Sequence, residues 1–125
     1  KQFVDKLEKI APCRQVFEFR HSGWFCKGVY AILKKHNMAL CRADWPEYSN
    51  SAPDTANFIY IRRHGQAGNL YGGCYSREQL QKDIDYIREK KKDSYVYFNN
   101  DAEGWAIKNA ISLREMQAEK QKKQV

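Results

Sequence analysis

The feature that most constrains this chain is a change of character repeated within four short β-type runs. These are Val16-Phe17-Glu18-Phe19-Arg20-His21, Met38-Ala39-Leu40-Cys41-Arg42-Ala43-Asp44, Phe58-Ile59-Tyr60-Ile61-Arg62-Arg63-His64 and Tyr95-Val96-Tyr97-Phe98-Asn99. Each begins apolar and ends in charged or amide residues. Helical patterns separate them. Phe3, Leu7 and Ile10 recur at helical spacing before the first run, and Phe25, Val29, Ile32 and Leu33 mark a helix between Trp24 and Lys35, closed by Asn37. Ser76 and Gln79 have capping-box spacing ahead of Leu80, Ile84 and Ile87. Asp101 is placed to cap a last helix carrying Trp105, Ala106, Ala110, Leu113 and Met116, with the polar chain beyond Gln117 fraying. The second run reaches the third through a proline-bearing loop, 45–55, and no strong hairpin signal appears. Strand and helix in alternation imply parallel strands with helices outside, an α/β architecture.

Side chains alternate faces along a strand, so parity sorts the polar ends. Phe17 and Phe19, Ile59 and Ile61, and Val96 and Phe98 form the face that should meet the helices. Glu18, Arg20, Asp44, Arg62, His64, Tyr97 and Asn99 are then expected together on the opposite face, near the carboxyl ends of the strands. In a (β/α) barrel that place is the mouth, and in an open sheet it is the crevice beyond the strands. Barrel interiors also hold structural ion pairs, and Glu18 with Arg20 or Arg62 fits that role as well.

Size and charge set outer bounds. A chain of 125 residues is one domain at most, or part of a larger one. Its net charge of +7 favours acidic partners, although Lys90, Lys91 and Lys92 and the tail lysines Lys120, Lys122 and Lys123 read as solvated helix ends. Cys13, Cys26, Cys41 and Cys74 show neither C-x-x-C spacing nor a secretory framework; Cys26 and Cys41 read as small core residues, and a cytoplasmic setting is expected. No apolar run approaches the ~20 residues that span a bilayer, so no membrane partner is expected. No signal peptide is expected, and the start at Lys1 without a methionine reads as a processed or trimmed product.

Four motifs in register resemble the YecE-like family, also called domain of unknown function seventy-two. Glu18-Phe19-Arg20-His21 with Trp24-Phe25 resembles its E-x-R-H-x-S-W-F segment, and Ala43-Asp44 with Pro46 its A-D-x-P turn. Tyr60-Ile61-Arg62-Arg63-His64-Gly65 is similar to its Y-x-R-x-H-G strand end, and Tyr95-Val96-Tyr97-Phe98-Asn99-Asn100-Asp101 to its Y-V-Y-F-N-N-D strand; Asn109-Ala110 fits the helix after it. Ser22-Gly23 stands where the family has Pro-Ser. The resemblance implies the carboxy-terminal half of a TIM-type barrel, with residues 1–117 as the half barrel and 118–125 as a polar basic tail. A complete barrel takes about 250 residues. A half barrel leaves two open sheet edges, so a homo-oligomer or a missing amino-terminal half is the expected partner.

Three functions compete. The first is an enzyme or binder for a phosphorylated or other anionic ligand, in which Glu18, His21, Asp44 and His64 carry acid–base work. Arg20, Arg62, Tyr97, Asn99, Asn100 and Asp101 would hold the ligand, since a guanidinium fork matches a phosphate or carboxylate. Glu18, His21, Asp44 and His64 also have the types of a divalent-metal site, without a local spacing such as H-x-H; metal and cofactors stay unassigned. The second is nucleic-acid binding without catalysis, supported by charge and by the loop aromatics Trp45, Tyr48, Tyr71 and Tyr75. The third is an inactive half barrel that serves assembly. The glycines from Gly65 to Gly73 lack phosphate-loop order, Ser49 and Ser51 have no partner at nucleophile spacing, and Trp24 and Trp105 read as packing at the rim.

Overall fold

Four parallel strand segments lie side by side in chain order. A computed structural model of the protein describes residues 2–45, 53–66 and 69–122. Helix α1 (Gln2–Ile10) precedes β1 (Val16–Phe17), and α2 (Lys27–Lys35) leads to β2 (Ala39–Leu40) and β3 (Arg42–Ala43). Then come β4 (Phe58–Arg63), a small pair β5 (Gly65–Gln66) and β6 (Asn69–Leu70), α3 (Arg77–Lys90), β7 (Asp93–Phe98) and α4 (Trp105–Lys122). β1 pairs in parallel with β2, β3 with β4, and β4 with β7. Only Cys41 separates β2 from β3, so the two ladders join there and the order is β1, β2/β3, β4, β7. The alternation of the sequence is thus realised as α/β structure with parallel strands.

The helix-facing side is built as parity requires. Phe17, Phe19 and Leu40 pack with Val4, Leu33 and Met38 under α1 and α2. Val96 and Phe98 pack with Tyr75, Leu80, Ile84, Leu113 and Met116 between α3, α4 and β7. Burying one such aliphatic or aromatic side chain is worth about 1.5–3 kcal/mol, which holds the helices to the sheet. The Arg63 guanidinium also turns to this side and forms a two-bond pair with Asp83 of α3. Ser76 caps α3 in a reciprocal box with Gln79, and Lys91 ends it in a left-handed conformation.

Several local expectations give way. The first helix buries Val4, while Phe3 and Ile10 are exposed, because the helix meets the sheet one position round from the expected stripe. Trp24 lies in a 3-10 turn, Ser22–Trp24, rather than at the start of α2, and Cys26 is exposed at the α2 N-cap instead of lying in the core. Asp101 makes no side-chain cap bond: a 3-10 turn, Ala102–Gly104, intervenes before α4. That last helix continues through 118–122 rather than stopping at Gln117. The antiparallel pair β5–β6 was not visible as a hairpin signal. Its geometry demands Gly65: at φ 129°, a Cβ there would lie 2.6 Å from the Asn69 carbonyl oxygen. Pro46, Tyr48, Ser49, Ser51 and Lys123 lie outside the described residues.

Candidate functional site

On the face away from the helices, the polar strand ends converge around one carboxylate. Glu18 is the first residue after β1. Its Oε2 accepts from Arg62 Nη1 at 2.7 Å, and its Oε1 accepts from Arg20 Nε at 3.0 Å. His64, the first residue after β4, places Nε2 at 3.1 Å from Glu18 Oε1. Asn99, the first residue after β7, accepts at Oδ1 from Arg62 Nε and Nη2, at 3.2 and 2.9 Å. The sheet thus brings Glu18, Arg20, Arg62, His64 and Asn99 together as their parity predicts.

The strand between β1 and β4 makes this contact feasible. Its side chains on this face are Ala39, Cys41 and Ala43, all small and all buried. Glu18 reaches over them, with the Cys41 thiol 3.8 Å from Oε2. This alternation of small residues is a signal in the sequence that no expectation used. Burial, then the neighbouring Glu18 charge, pushes the Cys41 thiol up to about 12, which makes it packing rather than a nucleophile.

Charge states follow from the geometry. Burial alone would raise the Glu18 carboxyl, but the hydrogen bond and charge of Arg62, with His64 and Arg20, bring it below its ordinary value. Burial lowers His64 despite the adjacent Glu18, and the two arginines push the same way, so the imidazole is neutral near pH 7. A carboxylate only accepts, so Nε2 carries the proton and Nδ1 is the bare nitrogen. Among the described residues, Nδ1 finds no hydrogen-bond partner.

His64 is fully buried, with the Trp45 ring edge-on at 5.3 Å and Tyr71 at 6.1 Å. It therefore stands behind Glu18 instead of facing a ligand. The side chains that reach solvent are Arg20 at 47% and Arg62 at 30%, against 14% for Glu18. Tyr97 is exposed and stacks on Tyr60 at 5.0 Å.

Other expected members lie elsewhere. Asp44 does not join Glu18: parity along 39–44 puts it with Leu40 and Arg42 on the helix side. There Oδ2 accepts from the Tyr75 hydroxyl and Oδ1 from the His64 backbone N–H at 2.7 Å. Its role here is to hold the backbone that presents His64, and Tyr75, missed in the sequence as a site residue, completes the clamp by accepting from the Gly65 N–H at 2.7 Å. His21 is exposed, and its Nδ1 accepts from the Gly23 N–H within the 3-10 turn. Asn100 is fully buried and donates to the Gly73 carbonyl and to Asn109 Oδ1, a structural position rather than a ligand contact. Asp101 is exposed and outside the cluster. Among the described residues, no three His, Cys, Asp or Glu side chains are grouped so as to hold a metal ion.

The aromatics expected to stack on bases are divided as well. Tyr75 is 6% exposed in the core, and Trp45 receives the Arg20 guanidinium at 4.2 Å, leaving Tyr71 as the exposed member among the described residues. Trp24 stacks on Phe19 at 5.1 Å. No helix among the described residues is long and apolar enough to cross a membrane.

Comparison with known proteins agrees with the family resemblance. No curated protein matches the chain. A solved DUF72 family protein from Thermotoga maritima is 28% identical, with a TM-score of 0.77 over 92% of this chain and 50% of its own. A DUF72 family protein from Enterococcus faecalis shares the fold at 22% identity, with a TM-score of 0.70 over 93% of this chain and 55% of its own. The chain therefore spans about half the length of these solved relatives. The sequence model of "Protein of unknown function DUF72" matches residues 1–125, and the chain belongs to that family.

Proposed function

We propose that the carboxyl ends of the four strands bind a phosphorylated or other anionic ligand, and that the sheet is half of a TIM-type barrel whose mouth this is. The observation that carries the reading is the Glu18 hub. One carboxylate fixes two guanidiniums, one from the segment after β1 and one from β4, and both remain partly open to solvent. The Arg62 guanidinium, held in place by Glu18 and Asn99, presents a fork suited to a phosphate or carboxylate group. Arg62 commits three of its five N–H donors to Glu18 and Asn99. Its remaining donors are available to an anion while its plane is held in place.

Glu18 backed by His64 is also the arrangement through which a proton could be held beside such a ligand, so turnover belongs to the same reading. A cytoplasmic location belongs to it as well, supported by Cys13, Cys26 and Cys41 standing without disulfides. Titration calorimetry with inorganic phosphate at two ionic strengths tests the reading. Binding should weaken with added salt and vanish in Arg62→Ala. Equal heats from wild type and variant would overturn it.

A further inference from the structure

Two aromatic rings enclose His64, and an arginine of the Glu18 hub ties them together. Trp45, shortly after β3, meets the imidazole edge-on at 5.3 Å, and Tyr71, just after β6, meets it at 6.1 Å. The Arg20 guanidinium lies over the Trp45 ring at 4.2 Å, hydrogen-bonds the Tyr71 side chain and donates to Glu18. The Tyr71 backbone is fastened as well. It stands in the left-handed region at φ 63°, and its N–H donates to the His64 carbonyl at 2.6 Å. Arg20 and Tyr71 are exposed, while His64 beneath them is fully buried. The three residues form a cap, and Arg20 is its only charged member.

The enclosed ring has one unmet hydrogen bond. Glu18 takes the Nε2 proton, so Nδ1 is an acceptor, and among the described residues nothing donates to it. A buried acceptor left unpaired costs free energy, which the arrival of a donor relieves. We infer that Nδ1 accepts from a hydroxyl of the anionic ligand, and that the anion opens the cap by drawing Arg20 off Trp45 and Tyr71. This inference rests on the anion reading above and narrows its ligand to a phosphate or carboxylate that also bears a hydroxyl. With the cap shut, His64 stands behind Glu18 and meets no ligand. An incoming anion competes with the Tyr71 hydroxyl and the Trp45 face for the Arg20 guanidinium, and a charged partner is the stronger one. Once Arg20 turns to the anion, the tie between the two rings is gone. The donor that reaches Nδ1 must be uncharged. Arg20 and Arg62 both act on the imidazole, so an ammonium would be repelled there, whereas a hydroxyl brings a proton without a charge.

Two phosphate monoesters of equal charge and similar size test this. Glycerol phosphate carries hydroxyls, and propyl phosphate carries none. In titration calorimetry glycerol phosphate should bind the wild-type chain about tenfold tighter, as one hydrogen bond to a buried acceptor provides. His64→Phe should erase the difference. The nitrogen NMR signals of the His64 ring give a readout that needs no variant. Nδ1 should stand at the position of a bare nitrogen in the free protein. It should move toward the hydrogen-bonded position at saturation with glycerol phosphate and stay in place with propyl phosphate. Equal affinities, or an Nδ1 signal that neither ester moves, overturn the inference and leave the anion site standing, because both esters still bind. An Nδ1 already hydrogen-bonded in the free protein, as by a trapped water, overturns it too, as does a folded His64→Phe that keeps the preference. If inorganic phosphate and both esters all fail to bind, the anion reading falls and this inference falls with it.

Discussion

Glu18 and Arg62 meet at 2.7 Å although an entire strand separates the segments that carry them. The intervening residues Ala39, Cys41 and Ala43 are small enough to lie beneath the contact. Enlarging one should therefore break it. Cys41→Leu should cost about 1–3 kcal/mol by overpacking and lift Glu18 away from Arg62. Urea denaturation reads the first effect, and loss of phosphate binding in the still-folded variant reads the second.

Acid should destabilise the fold in two steps. Burial holds the folded-state His64 below its ordinary 6.5, so the unfolded chain takes up the proton first, and the stability contributed by neutral His64 is lost as pH falls below 6.5. Glu18 lies below its ordinary 4.5, so its contribution is full above 4.5 and is lost as pH falls from there through the folded value. In Glu18→Gln the lower step should disappear. The upper one should persist, because Glu18 opposes the lowering of His64. Urea midpoints between pH 3 and 8 check both.

The Arg63 and Asp83 side chains fix α3 to β4, with side-chain exposures of 18% and 9%. Removing one partner strands the other charge, so Asp83→Ala should destabilise by about 3 kcal/mol or more. Thermal unfolding measures it. Arg77→Ala, whose partner Glu119 is exposed, should change stability by less than about 1 kcal/mol.

Tyr75→Phe removes one hydroxyl that serves both Asp44 and the buried Gly65 N–H. The unpaired donor should cost about 1–3 kcal/mol. Amide hydrogen exchange at Gly65 should quicken well beyond that in α3, and an unchanged rate would count against the clamp.

Much of this was legible in the sequence where one short-range rule governs. Strand parity correctly gathered Glu18, Arg62, His64 and Asn99, because those side chains lie in a strand or one residue beyond it, and Arg20, three residues past β1, still reaches Glu18. Asp44 was misplaced because it was sorted by polarity instead of by that rule: its shared parity with Leu40 and Arg42 already put it on the helix side. Asn100 and Asp101 failed for a different reason: beyond Asn99 the chain leaves the strand, and a turn rather than a pleat decides which way they point. Tyr75 read as a loop aromatic because nothing local shows that its hydroxyl meets Asp44, which is 31 residues away. The burial of His64 depends on rings at Trp45 and Tyr71, distant contacts that no periodicity encodes.

The most direct test of the central claim is the nitrogen NMR signal of the arginine side chains during titration with inorganic phosphate. The Arg20 and Arg62 Nε–H signals should shift together and saturate, while those of the α3 residues Arg77 and Arg88 should not. Signals for Arg20 and Arg62 that stay fixed, or that move only as much as those of Arg77 and Arg88, would contradict an anion site at the Glu18 hub.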